Sequence, residues 1–192
     1  MKRIAAFASG TGSNVENLIN YFKAHTSIEL CLIVSNNENC GAIDKAKANK
    51  IPFLILGSKH ISDGNFISQA MKINQIDFII LAGYIKMIPQ ELIQSFPNKI
   101  INIHPSLLPK YGGKGMYGQA VHKAVILNHE KESGITIHFV SKEYDKGEII
   151  TQKKIVVDAN DTFNEVEKKV RSLEIKWFPL VIESVILQKP IP

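Results

Sequence analysis

Near-continuous apolar runs recur through the first hundred residues, at 3–9 (RIAAFAS), 28–35 (IELCLIVS), 52–56 (PFLIL), 77–83 (DFIILAG) and 99–103 (KIINI). Runs of this kind, rather than strict alternation, mark parallel strands buried on both faces. Longer amphipathic stretches separate them and predict helices over Asn14–His25, Ala42–Lys50, Ser62–Ile73 and Pro89–Phe96. Strand and helix taking turns implies βαβ units and an α/β fold with a doubly wound, mostly parallel sheet. The pattern then changes. Residues 133–140 alternate Ile135, Ile137 and Phe139 against Thr136, His138 and Val140, and 148–157 follow after a YDKGE turn. These predict two more strands, an antiparallel extension of the same sheet. A last helix begins near Thr162, where Thr162 and Glu165 form a capping-box pattern. Phe163, Val166, Val170, Leu173, Trp177 and Leu180 give it a core-facing stripe, and Pro179 is expected to kink it.

A chain of 192 residues suits one α/β domain, with no repeat or linker to divide it. Within that domain, 1–100 form a Rossmann-like half and 101–192 a second half. Apolar residues make up 45% and charged residues 21%, mean hydropathy is near zero, and no run approaches the ~20 apolar residues of a membrane span. The short N-terminal apolar run enters a Gly-rich turn, so it reads as a strand rather than a leader. Cys31 and Cys40 show neither metal nor redox spacing, which points to a reducing cytoplasm. The net charge of +5 is spread over scattered lysines. No basic block suggests nucleic acid, and a small phosphorylated or polyacidic ligand fits equally well.

Two segments carry candidate chemistry. The turn ASGTGSN (8–14) leaves the first strand and opens the first helix. Its glycines allow a close backbone approach, and the free N–H groups of the helix start favour an anion. It is neither a dinucleotide fingerprint nor a P-loop, so a single phosphate monoester is the expected ligand; a plain glycine turn capped by Ser13 explains it as well. The second segment is NIHPSLLPKYGGKG, where Asn102 and His104 lie on one side of the fifth strand's C-terminal end. An imidazole that titrates near neutrality, beside an amide that donates without titrating, suits a developing oxyanion. No serine or cysteine sits in a nucleophile setting, and no metal-ligand spacing surrounds His104. Asp145 is a candidate partner for the ring. Singly, His104 and Asp145 read better as a structural histidine and a turn aspartate.

Taken together, SGTGSN, NIHPSLLPKY and GITIHFVSKEYDKGEII closely resemble the phosphoribosylglycinamide formyltransferase family, over Lys2 to about Glu183. The resemblance implies formyl transfer from 10-formyltetrahydrofolate, a co-substrate, to the amine of glycinamide ribonucleotide, without a metal. It implies catalytic roles for Asn102, His104 and Asp145, the last raising the pKa of the imidazole. It implies that Gly12, Ser13 and Asn14 hold the substrate phosphate, that Glu174 meets the ribose, and that Ile85, Lys86, Met87 and Ile88, with Asn102, meet the folate. His138 is expected near the same cleft in a secondary role. Two departures stand out: Lys86 replaces a frequent Arg, and the folate-tail loop SKHISDGNF has no Arg, with Lys59 an insecure replacement. The strap YGGKGMYG is richer in glycine than in many relatives, which implies a more flexible cover over the site. The expected partners are small molecules, with no nucleic acid or membrane, and the expected state is a monomer or weak homodimer in the cytoplasm. Methionyl-tRNA formyltransferase needs a further domain. Formyltetrahydrofolate hydrolase, or a non-catalytic nucleotide-binding module, remains an alternative.

Overall fold

The computed structural model describes all residues 1–192, which form two compact units, 1–102 and 103–192. The first unit contains β1 (Lys2–Ala8), α1 (Ser13–Phe22), β2 (Ile28–Ser35), α2 (Gly41–Ala48), β3 (Phe53–Ile55), α3 (Gly64–Ile73), β4 (Phe78–Leu81), α4 (Gln90–Ser95) and most of β5 (Ile100–His104). All five strands are parallel, with β2 between β3 and β1, and β4 between β1 and β5. β3, at the sheet edge, is only partly covered, with Phe53 exposed. The apolar runs of β1, β2, β4 and β5 are buried as expected, and Ile4, Phe7, Ile33, Ile79 and Ile80 have no exposed surface. Each such side chain contributes about 1.5–3 kcal/mol of transfer free energy. Parallel pairing brings every strand's C-terminal end to one edge. Phe7, Leu81 and Asn102 form one row across β1, β4 and β5, so Asn102 emerges where the turn after β1 departs.

The second unit begins at Ile103, within β5, and continues through α5 (Gln119–Leu127), β6 (Glu132–Phe139), β7 (Ile149–Val156) and α6 (Phe163–Ile186). β6 and β7 are antiparallel, with Ile135 opposite Lys153 and Ile137 opposite Thr151. The α/β class, mostly parallel with an antiparallel C-terminal pair, is therefore borne out. The apolar pattern did not announce α5, whose nine residues bury only Val121, His122 and Val125.

Thr162 and Glu165 make the reciprocal capping bonds at the start of α6, and the helix runs through Pro179 without a break. Its buried face differs from the expected stripe. Val166 and Val170 are buried, but Trp177 and Leu180 are only half-buried, and Phe178, Val181 and Ile182 take over the core positions. Lys153 and Lys176 place ammonium groups 4.1 and 4.8 Å from the Trp177 ring centroid, an arrangement suited to a partly wet indole. No helix is long and apolar enough to cross a membrane.

Candidate active site

In the first unit, the backbone explains the glycine turn. Gly12 has φ +76° and precedes α1 without a side-chain cap, so Ser13 is the first helical residue rather than the cap. A Cβ at Gly12 would lie 2.6 Å from the Ala42 Cα. Only glycine meets both conditions. The turn thus presses against α2 at the head of α1, where a helix start favours an anion. Ser13 is half-buried and Asn14 is buried.

The segment after β4 is tied to the end of β1. The Ser9 N–H donates to the Gly83 carbonyl at 3.0 Å, and the Ile85 N–H donates to Ser9 Oγ at 3.1 Å. Ser9 Oγ itself donates to Asn36 Oδ1 at 2.6 Å. Ile85 and Met87 are left 43% and 50% exposed, Lys86 is exposed, and Ile88 is buried. Tyr84 packs edge-on to Phe7, and burial pushes its phenol pKa up to about 12. Two exposed apolar side chains on a tethered turn suit a flat ring. Ser9 lies in the glycine-rich turn, but its tie to the Ile85 backbone and the support its hydroxyl takes from Asn36 carried no signal in the sequence.

In the second unit, β5 ends at His104, and the structure brings His104, Asp145 and His138 together. His104 Nδ1 lies 3.5 Å from Asp145 Oδ2, and His138 Nε2 lies 3.6 Å from Asp145 Oδ1. The Gly113 N–H donates to Asp145 Oδ2 at 2.9 Å. The outer nitrogens are also engaged: His104 Nε2 lies 2.7 Å from the Tyr111 carbonyl, and His138 Nδ1 lies 2.8 Å from the Phe139 carbonyl. A carbonyl only accepts, so those two nitrogens carry hydrogens. Each ring then turns its other nitrogen toward the same carboxylate. All three groups are nearly enclosed, with side-chain exposures of 5%, 2% and 11% for His104, His138 and Asp145.

Burial works to raise the Asp145 pKa, but the His138 hydrogen bond, the charge of His104 and the Gly113 N–H together hold it below the usual carboxylate range. His104 is pulled both ways. Burial lowers its pKa, Asp145 and the Tyr111 carbonyl raise it, His138 lowers it, and the net direction is below the ordinary 6.5. Asp145 thus pulls the imidazole toward charge, as expected of the pair, without overcoming desolvation. The ring's enclosure comes from tertiary packing, which no local pattern of residues announces.

Other expected residues lie where their elements place them. Glu174 is half-buried on α6, and Lys59 is exposed just before His60, whose ring stacks on Phe66 at 4.0 Å. His122 on α5 was missed. It is 3% exposed, its Nδ1 has no hydrogen-bond partner, and burial lowers its pKa against the pull of Glu167, with the charge of His104 lowering it further. No group of His, Cys, Asp and Glu side chains is arranged to hold a metal ion.

The two lowered imidazoles set an acid limit on stability. Unfolded, both titrate near 6.5; folded, both bind their protons less readily. The unfolded chain therefore takes up more protons, and stability is lost as pH falls below about 6.5. Asp145 adds its own loss only near and below 3.8. Urea midpoints are expected to fall between pH 7.5 and 5; a flat profile there would show that burial does not keep these rings neutral.

The formyl transferase family profile matches residues 2–182. The chloroplastic phosphoribosylglycinamide formyltransferase of Arabidopsis thaliana is 42% identical over 190 residues, 96% of this chain and 65% of the relative. The Bacillus subtilis (strain 168) phosphoribosylglycinamide formyltransferase is 37% identical over 191 residues, covering 97% and 95%. The chain spans only 65% and 61% of its two plant relatives, from Arabidopsis thaliana and Vigna unguiculata. Among solved structures, the phosphoribosylglycinamide formyltransferase of Anaplasma phagocytophilum matches with TM-score 0.87 at 29% identity, over 97% of this chain and 88% of that one. The enzyme of the same description from Bacillus halodurans matches with TM-score 0.85 at 31% identity, over 97% and 95%.

Proposed function

The chain belongs to the formyl transferase family, and we propose that it moves a formyl group from 10-formyltetrahydrofolate to the primary amine of glycinamide ribonucleotide, a step of purine biosynthesis. The observation that carries this reading is the approach of Asp145 to His104 on a strand that bears Asn102 two residues earlier. The amine attacks the formyl carbon, and a new carbon–nitrogen bond forms. Charge collects on the formyl oxygen, where the Asn102 amide donates one hydrogen bond and the His104 Nε2–H, exchanging the Tyr111 carbonyl for the substrate oxygen, donates the other. The bond to the folate nitrogen then breaks, and the amine's proton ends on that nitrogen. Asp145 favours the charged imidazole at the stage when the oxygen is negative. Burial keeps the ring neutral beforehand, so the proton's arrival is tied to the substrate's charge.

Gly12, Ser13 and Asn14 bind the substrate phosphate through the helix start. Glu174 meets the ribose. Ile85, Lys86, Met87 and Ile88 hold the pterin ring by backbone polar groups and apolar contact, and Asn102 touches the folate as well. Residues 1–100 serve phosphate and nucleotide binding and supply the pterin contacts of 85–88, and 101–192 serve catalysis and the rest of the folate, within one working domain. The protein acts on small molecules in the cytoplasm, without nucleic acid, membrane or metal, as a monomer or weak homodimer.

The test is to follow deformylated folate by absorbance with and without glycinamide ribonucleotide. Deformylation only in the presence of the amine is the expected result. Turnover without it would make water the acceptor and the protein a hydrolase. No turnover in either case would leave a nucleotide-binding module.

A further inference from the structure

Seven residues other than glycine have positive φ. Four of them, Lys50, Gln75, His129 and Gln188, follow the C-termini of α2, α3, α5 and α6, and Asn98 follows α4; chains commonly turn left-handed there. The remaining two are Tyr111 at +56° and Asp145 at +55°, and they are the two residues that approach the His104 ring. Aspartate tolerates this conformation, whereas an aromatic residue there is an outlier that persists only when its surroundings impose it.

The surroundings of Tyr111 are specific. Its phenol donates to Glu130 Oε1 at 2.9 Å, and Lys110 Nζ holds the same carboxylate at 2.8 and 3.1 Å. On the inner side, Ser106 Oγ donates to the Lys110 carbonyl at 2.6 Å, and Thr136 Oγ1 donates to the Ser106 carbonyl at 2.7 Å. Gln152 Nε2 donates to the Leu108 carbonyl at 2.9 Å. The loop between β5 and the strap is thus fixed at its base by β6 and β7, and at its far end by the phenol on Glu130.

We propose that Tyr111 and Glu130 are a positioning pair, in which the Glu130-anchored phenol forces the left-handed turn that aims the Tyr111 carbonyl at His104 Nε2. This rests on the formyl-transfer reading only for its kinetic consequence. By holding hydrogen on Nε2, the pair fixes Nδ1 as the nitrogen that faces Asp145 and exchanges protons. A fixed acceptor on Nε2 also favours the charged ring. The other charged or titratable groups bearing on that ring are Asp145 from the β6–β7 turn, His138 on β6 and His122 on α5. Neither Tyr111 nor Glu130 is among them as a direct side-chain contact; both act through the carbonyl.

The test uses Tyr111→Phe and Glu130→Gln, which keep shape and remove the anchor. Ring ¹⁵N spectra of histidine-labelled protein report the His104 tautomer and titration without any need for activity. Both variants are expected to lower the His104 pKa by about half a unit, since part of a hydrogen bond that favours the charged ring is lost. They are expected to lower kcat roughly 5–10-fold, with both KM values within about 2-fold of the parent and an unchanged urea midpoint. An unmoved His104 titration overturns the proposal, whether kcat holds or falls together with stability. If the parent protein transfers no formyl group, the functional reading fails, and the ring spectra still decide whether the pair positions His104.

Discussion

Replacing His104 with alanine is expected to lower kcat by at least ~10²–10³-fold, the usual cost of one oxyanion donor. The ring is 4% exposed, and its two nitrogens serve the Tyr111 carbonyl and Asp145. Its loss therefore leaves a small cavity and two weakened acceptors, which lowers stability modestly. The fold should survive, because its main apolar mass, from Phe7 to Ile80 in the first unit and Val166 to Ile182 in the second, is untouched. The substitution also removes one of the groups that must charge in acid, so the variant loses less stability than the parent between pH 6.5 and 5. Affinity for the phosphorylated substrate is expected to stay within a few-fold, since the Gly12–Asn14 turn belongs to the other compact unit. Calorimetric binding and steady-state turnover on the same preparation check both halves of this expectation. A variant that keeps near-parental turnover removes His104 from the chemistry.

The second large effect is expected from Asp145→Asn. Asparagine matches the shape of aspartate and tolerates φ near +55°, so the turn is kept. Its amide oxygen still accepts from the Gly113 N–H, the contact that Asp145 Oδ2 makes at 2.9 Å. What disappears is the negative charge between two imidazoles. That charge is the main influence raising the His104 pKa against burial. Without it the ring becomes harder still to protonate, and the transition state loses its charged donor. A fall in kcat of about 10²-fold is expected, with KM for the ribonucleotide nearly unchanged. The His104 titration should move further below 6.5; an upward shift would mean that the carboxylate does not act on this ring.

What the chain disclosed in advance follows from where each signal resides. Four of the five parallel strands were legible because strands buried on both faces are apolar throughout, as Ile4–Ala8 and Ile79–Leu81 are; β3 showed through its apolar run although it lies partly exposed at the sheet edge. The antiparallel pair was legible from alternation at Ile135 and Ile137. α5 was not, because it is short and its buried set includes the polar His122. The α6 stripe was read as one line through Trp177 and Leu180, but over 24 residues the covered face turns toward Phe178 and Ile182.

The same division holds at the site. Asn102, His104 and Asp145 were legible as side chains with chemistry, and the glycine turn by its spacing. The Tyr111 carbonyl and the Gly113 N–H were not, because a backbone group has no letter of its own. The balance at His104 was illegible for a related reason: the carboxylate that raises its pKa could be seen in the sequence, but the burial that outweighs it could not. Ser9 was missed because its hydroxyl serves the Ile85 backbone rather than any ligand.

The claim beneath all of this is that Asp145 contributes to formyl transfer through His104 and not independently. A double-mutant cycle in kcat, from the parent through H104A and D145N to the double variant, measures that coupling. If the two act as one unit, the double variant should be no slower than H104A alone within about 3-fold, because once the ring is gone the carboxylate has nothing left to charge. Losses that multiply, with the double variant near the product of the two single effects, would contradict the coupling and detach the carboxylate from the imidazole.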